Sequence, residues 1–448
     1  MPKWLTPSRL VLTSFALFIL LGAALLALPL MQGPGGVGLL DCLFTATSAV
    51  CVTGLITVDT ATAWSPWGQG LILVMLQAGG LGIMTFSVAL LYLARRRPGP
   101  RTHLALKGAL GPVPGGEIGR LVSDVLMYTF LLEGLGAAIL FVRFLADYPA
   151  PTALSLAVFH SVSAFCNAGF SLFSDSLVGY AGDPTVNLTI LALIVLGGLG
   201  FVVLRELVGR LRRPKDELPR RRLSLQARLV LFTTGALIVG GMVALLVAEW
   251  LGQGPAWRQG PWALLFQAIT PRTAGFNTVP MGQLTNASLV VIMVLMFIGA
   301  SPGSCGGGIK TTTIAVLWAL AVNRLRGRSG AEAWGRAVPE RQVEMALLLV
   351  LGTGAVLLIA VVLLSAVGLA DGGHMRGDFI SLAFEATSAL GTVGLSLGAT
   401  PLLTPAGKVI IILLMFLGRL GPLAFVYSVA QALREPRYRL AEERVILG

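Results

Sequence analysis

The chain has 448 residues, of which 55% are hydrophobic and only 12% charged, whereas soluble domains carry about 25% charged residues. No soluble core hides that much apolar surface, and the hydropathy runs along the whole chain, which excludes a soluble domain with one anchor. The formal charge of +12 would suggest nucleic acid in a soluble protein, but here the basic residues sit in short clusters between apolar runs, the pattern that marks cytoplasmic loops.

In chain order, apolar runs lie near 9–31, 67–94, 119–145, 184–210, 225–251, 286–320, 340–368 and 404–433. Each has the length of a spanning helix of about 20 residues, so eight crossings are expected. The first run is too long for a signal-peptide core of roughly 7–15 residues and reads as a retained span. Shorter apolar pieces near 39–56, 153–171, 261–277 and 378–396 read as re-entrant segments. Basic clusters at 95–97, 210–222, 324–328 and 434–439 separate the pairs of spans, while Asp59, Asp175, Asp183, Asp371 and Asp378 fall on the other side. Both termini are therefore expected in the cytoplasm, with every re-entrant segment entering from the opposite face.

The four cysteines (Cys42, Cys51, Cys166, Cys305) form no C-x-x-C pair, and the three histidines (His103, His160, His374) are far apart. Neither a disulfide framework, a zinc site nor a covalent cofactor is expected.

Aligned on one glycine, segments 47–55, 162–170, 268–276 and 387–395 match, their glycines 115, 106 and 119 positions apart. A second glycine-rich match follows each, at 78–82, 196–200, 298–303 and 417–421. Self-similarity of this kind defines the architecture: an all-α integral membrane protein of four pseudo-symmetric helix, re-entrant pore loop, helix repeats, with eight transmembrane helices around one ion pore. The repeats are placed at 1–97, 98–213, 214–328 and 329–448.

A dehydrated potassium ion needs several oxygen ligands, and potassium channels supply rings of backbone carbonyls from four TVGYG loops. Glycine permits the backbone angles such a loop needs. The candidate filter is Val52, Thr53 and Gly54; Asn167, Ala168 and Gly169; Thr273, Ala274 and Gly275; and Thr392, Val393 and Gly394, the last reproducing TVG. The apolar residues that follow, Leu55, Phe170, Phe276 and Leu395, are expected to pack behind it.

These loops, together with Gly299-Ala-Ser-Pro-Gly-Ser-Cys-Gly-Gly-Gly-Ile-Lys-Thr-Thr-Thr313 and Gly418-Arg419-Leu-Gly-Pro-Leu423, resemble the TrkH/TrkG/KtrB potassium transporters over nearly the whole chain. KtrB fits better than TrkH, whose chains usually carry an extra N-terminal helix pair. One departure is Cys305, where the family commonly has Thr. The resemblance implies potassium uptake across a bacterial cell (inner) membrane by a homodimer with one pore per protomer. It also implies a KtrA-like cytoplasmic ring that binds ATP and ADP, and in the KtrB branch sodium as an activating ion.

Residues 299–308 interrupt the sixth span with Gly, Ser and Pro, which cannot hold a regular helix. Irregular backbone at membrane depth is tolerated where it lines a cavity or is buried in protein. The resemblance assigns Gly299, Ser301, Pro302, Gly303, Ser304, Cys305, Gly306, Gly307 and Gly308 to a gate. Arg419 is too central in the last span to reach an interface, and an intramembrane charge usually faces a cavity; it is placed below the filter against the gate. Lys310 joins the gate group. His160, Gln267 and Glu385 are expected to anchor the filter by hydrogen bonds, Arg272 to brace it, and Asp59 and Asp175 to lie at the outer mouth.

Two other classes compete. A secondary transporter also has broken helices and repeats, but here the repeats share one orientation and number four. A membrane enzyme would need a motif such as H-E-x-x-H, a nucleophile elbow or a P-loop, and the chain has none. No span carries the spaced arginines of a voltage sensor.

Overall fold

The computed structural model describes residues 7–82, 118–211, 223–254, 260–328, 330–369 and 378–432. The clusters at 95–97 and 434–439, the arginines and lysine of 212–222, and His103, His374 and Asp371 lie outside them.

The described residues are mostly helical with almost no sheet, and their helices recur as a motif. The first unit comprises α1 (Pro7–Leu26), a short α2 (Leu39–Val50) and α3 (Pro66–Leu81). The second comprises α4 (Ile118–Phe144), a short α5 (Ala150–Phe165), α6 (Pro184–Leu199) and α7 (Phe201–Leu211). The third comprises α8 (Leu225–Leu251), a short α9 (Pro261–Ile269), α10 (Asn286–Phe297) and α11 (Thr311–Leu325). The fourth comprises α12 (Glu340–Val367), a short α13 (Asp378–Gly391) and α14 (Pro405–Ala432). A two-residue-strand hairpin, Glu332–Ala333 with Arg336–Ala337, joins α11 to α12.

Among the described residues, three unbroken helices are long and apolar enough to cross a membrane, within α4, α8 and α12, and the bent pair α6 and α7 brings the number to four when taken as one broken span. That pair covers the run expected as one span near 184–210, and it turns by 103° at Gly200. Gly200 holds φ 91°, and the Phe201 N–H beyond it is taken by the Gly303 carbonyl at 2.9 Å. Only glycine fits there, because a Cβ would lie 2.5 Å from the Pro302 carbonyl oxygen.

The helix after each short helix starts the same way. Ser65, Asp183, Thr285 and Thr404 each accept a backbone N–H from the first turn, at 3.3, 2.9, 3.2 and 3.2 Å. In α3, α6 and α14 proline follows at once, with φ preset and no N–H to orphan. The apolar interior lies around the short helices, where Phe44, Phe165, Phe266 and Phe384 are fully buried. Apolar side chains elsewhere point outward: Leu358 is 68% and Val142 71% exposed.

Candidate functional site

Each short helix ends in a loop with one unusual backbone pattern. Two residues before the aligned glycine, Val52, Asn167, Thr273 and Thr392 hold φ of 57, 57, 68 and 50°. The glycines Gly54, Gly169, Gly275 and Gly394 hold 92, 69, 80 and 94°. The residue between each pair is not left-handed. Alternating handedness turns successive peptide planes so that consecutive carbonyls face one side of the strand. A β-branched residue at positive φ is a genuine outlier, and three of these four are β-branched.

The loops close on one another. A Cβ on Gly54 would fall on the Ala168 carbonyl and 3.2 Å from Gly169 Cα; one on Gly169 would lie 2.7 Å from the Ala274 oxygen and 2.8 Å from Gly275 Cα. One on Gly275 would fall on the Val393 carbonyl, 3.2 Å from Gly394 Cα, and one on Gly394 on the Thr53 carbonyl, 3.0 Å from Gly54 Cα. The contacts run first to second to third to fourth and back to first, a closed ring in chain order. The carbonyls at these contacts belong to Thr53, Ala168, Ala274 and Val393, the residues just before the glycines.

Hydrogen bonds hold each loop to its own helix. Thr53, Ala168 and Val393 N–H donate to the Ser48, Ser163 and Ser388 carbonyls, each at 2.8 Å. The Ser48 and Ser388 hydroxyls accept the Gly54 and Gly394 N–H at 3.0 Å. Behind them Leu55, Phe170, Phe276 and Leu395 are buried. The third loop departs by one residue: Ala274 N–H donates to Thr270 at 2.9 Å. The other loops place three residues between this hydroxyl residue and the left-handed position; the third has only Pro271 and Arg272. The shift brings Phe266-Gln267 into register with Phe44-Thr45, Phe159-His160 and Phe384-Glu385, so the ungapped match upstream of Gly275 was off by one.

The glycines of the second repeated motif pack against the ring. A Cβ on Gly79, Gly197 or Gly418 would fall on the carbonyl of Val50, Phe165 or Leu390, each four residues before a ring glycine. The flanking helix must touch the loop backbone there, so no side chain fits.

The expected gate segment lies directly against the ring. A Cβ on Gly306 would meet the Thr273 hydroxyl, and one on Gly307 the Thr392 hydroxyl. The segment leaves α10 and rejoins α11 through a bridge between Ile298 and Ile309. Ser301 and Cys305 N–H donate to the Gly198 and Gly197 carbonyls at 3.1 and 3.2 Å, and the Ser301 hydroxyl meets that of Thr311 at 3.0 Å. The Ser304 hydroxyl turns back to the Ser301 carbonyl at 2.7 Å. Arg419 donates to the carbonyls of Cys305 and Gly79, joining the segment to α3. Lys310 Nζ donates to the Gly306 carbonyl at 2.7 Å and to that of Gly307 at 3.3 Å.

The short-helix polar residues differ among themselves. His160 meets the Leu156 carbonyl at 2.7 Å and the Ser171 hydroxyl at 2.9 Å. Glu385 accepts from Ser396, Thr400 and the Leu397 N–H. Gln267 is buried without a hydrogen-bond partner. Arg272 points away from the ring to the Thr234 hydroxyl at 3.2 Å. Asp59 caps the turn Thr60–Ala63 and accepts from Ser174 of the second unit. The sequence reading missed Glu133, buried in α4, which accepts from Gln77 at 3.1 Å beside Cys166. A lone acid in the middle of an apolar run was the available signal.

Comparison with known proteins identifies the family. Residues 25–439 match the family model described as TrkH, cation transport protein. The chain belongs to the TrkH cation transport family. Over all of its length it is 38% identical to Ktr system potassium uptake protein B of Bacillus subtilis, covering 98% of that protein. It is 35% identical over its whole length to potassium/sodium uptake protein NtpJ of Enterococcus hirae, again covering 98%. The crystal structure of the potassium transporter TrkH from Vibrio parahaemolyticus superposes with a TM-score of 0.71 at 21% identity, over 97% of this chain and 86% of that one. At that identity the likeness speaks for the fold. As a TrkH-family member the chain is an integral membrane protein of the Ktr/Trk potassium-uptake group, in which potassium is the transported ion, and not an enzyme.

Proposed function

We propose that this chain conducts potassium through the ring of four loops and is the membrane subunit of a bacterial uptake system. The closed ring in chain order carries this reading. Four loops that alternate backbone handedness around one axis present carbonyl oxygens where a dehydrated ion needs them. The filter is then Val52 to Gly54, Asn167 to Gly169, Thr273 to Gly275 and Thr392 to Gly394, and carbonyl ligation tolerates their unlike side chains. In this reading the chain crosses the membrane eight times in four repeats with both termini cytoplasmic, and the ring lies toward the outer side.

The segment 299–308 is the gate. It sits against the filter threonines and is held by Arg419, which bonds its carbonyl at Cys305 and adds a positive charge where cations would leave. The relatives named for the Ktr system imply a partner component. We assign it to a KtrA-like nucleotide-binding ring that meets the basic loops, of which Arg210, Arg324, Arg326 and Arg328 are described. The functional unit is a homodimer. The likeness to a potassium/sodium uptake protein favours sodium as activating ion.

The test is cation flux into liposomes holding the purified protein, comparing potassium, rubidium and sodium, for the native chain and for Gly54→Ser and Gly394→Ser. Potassium and rubidium should exceed sodium, and both substitutions should degrade that preference. Selectivity unchanged by either substitution would remove the ring from the ion path.

A further inference from the structure

We propose that the gate loop carries a monovalent-cation site of its own at the consecutive carbonyls of Gly306 and Gly307, beside the Cys305 carbonyl that Arg419 holds, and that the Lys310 ammonium fills it as a tethered stand-in for a permeating ion. The proposal rests on the pore and gate reading above.

Three successive carbonyls of the loop are each engaged by a fixed cation. Arg419 takes Cys305, and Lys310 takes Gly306 at 2.7 Å and Gly307 at 3.3 Å. A row of backbone carbonyls that converges on positive charge is what an ion filter consists of. An ammonium group, with three donors and no acceptor, needs the same surroundings as a dehydrated potassium ion: several close oxygens.

Nothing else in the structure accounts for the position of Lys310. It is the residue preceding α11, yet its side chain makes no capping bond, and a cation near a helix N-terminus is unfavourable. Among the described residues, neither Lys310 nor Arg419 has a carboxylate within ion-pair distance. The half-buried ammonium thus finds its hydrogen-bond partners in the loop carbonyls.

The site also lies next on the ion path. Gly306 and Gly307 abut the hydroxyls of Thr273 and Thr392, the innermost filter residues. An ion leaving the ring meets these carbonyls first and finds them taken. Opening requires the ammonium to withdraw, after which the freed carbonyls serve the passing ion.

Replacing Lys310 by Ala removes the ammonium and leaves its space; replacing it by Met removes the charge and keeps the bulk. In proteoliposomes without a regulatory subunit, potassium flux through both variants should rise about tenfold or more, the factor set by losing one charge-assisted hydrogen bond from the closed state. Millimolar n-propylammonium should restore the low flux of Lys310→Ala while leaving Lys310→Met unaffected, and n-propanol should restore neither. Native flux in both the Ala and Met variants, or equal inhibition of the two by propylammonium, overturns the site. Removal of residues 301–307 separates the two layers. Raised flux on that deletion with no effect of the lysine variants leaves the gate and removes the site; no change on the deletion removes the gate itself.

Discussion

Val52, Thr273 and Thr392 hold a backbone that β-branched residues avoid, at a cost of order 1–3 kcal/mol each. Such strain persists where the surroundings over-determine it, and here each loop is fixed by hydrogen bonds to its own helix and by two neighbouring loops. The flanking glycines show the same economy of space. A methyl on Gly418 would fall on the Leu390 carbonyl, whereas one on Gly240 in α8 meets nothing within 4 Å. Gly418→Ala should lower stability by about 1–3 kcal/mol through overpacking, while Gly240→Ala should raise it by up to about 1 kcal/mol. Thermal melting in detergent should separate the two in sign. Arg419→Ala removes the contacts to Cys305 and Gly79. With about 1.5–3 kcal/mol lost per charged hydrogen bond, conductance without a regulatory subunit should rise at least several-fold, and unaltered single-channel current would exclude the arginine from the gate.

At the scale of elements, the interrupted pair α10 and α11 and the bent pair α6 and α7 belong together. The Gly197, Gly198 and Phe201 backbones of the second unit bond the 299–308 segment of the third, and the bend at Gly200 makes that contact. Deleting residues 301–307 should raise ion flux in a variant that still folds; flux at or below the native level would argue against a gate. The entry to α6 is a separate matter. Asp183 accepts from Thr185 and Val186 N–H and pairs with Arg143. Asp183→Ala should cost about 1–2 kcal/mol, read as a lower melting temperature with ion selectivity kept.

At the scale of the molecule, the ring closes only because the fourth unit returns to the first. Lys408 at the start of α14 meets Asp41 at the start of α2 at 2.7 Å, partly buried. The outward apolar faces identify lipid as the surrounding medium. Leu358, 68% exposed in the middle of α12, should tolerate Ile, whereas Leu358→Asp should oppose insertion by about 3 kcal/mol. Measuring the fraction of chain integrated into membranes would decide this.

Helical segments and the recurring glycine were legible in the sequence, because apolar runs and a repeated residue are local signals; the caps at Ser65, Asp183, Thr285 and Thr404 went unread, although a hydroxyl or acid before a helix is a local signal too. Gly54, Gly169, Gly275 and Gly394 stand out in the sequence because each must be glycine for the same steric reason. The bend at Gly200 was hidden, since apolar residues continue on both sides of it and the turn is met by a carbonyl some hundred residues away, at Gly303. So was the one-residue deletion in the third loop: the glycine match looked complete, and only the hydrogen bond from Ala274 to Thr270 revealed the shift. The positive φ of Val52 and Thr392 had no signature at all, because these residues prefer the opposite. By itself the sequence determined what each segment is, since helix, cap and turn depend on neighbours along the chain. Only the tertiary structure decided which carbonyls meet Lys310 and Arg419 and that the four loops close in order, because those contacts join residues that nothing in the linear pattern brings together.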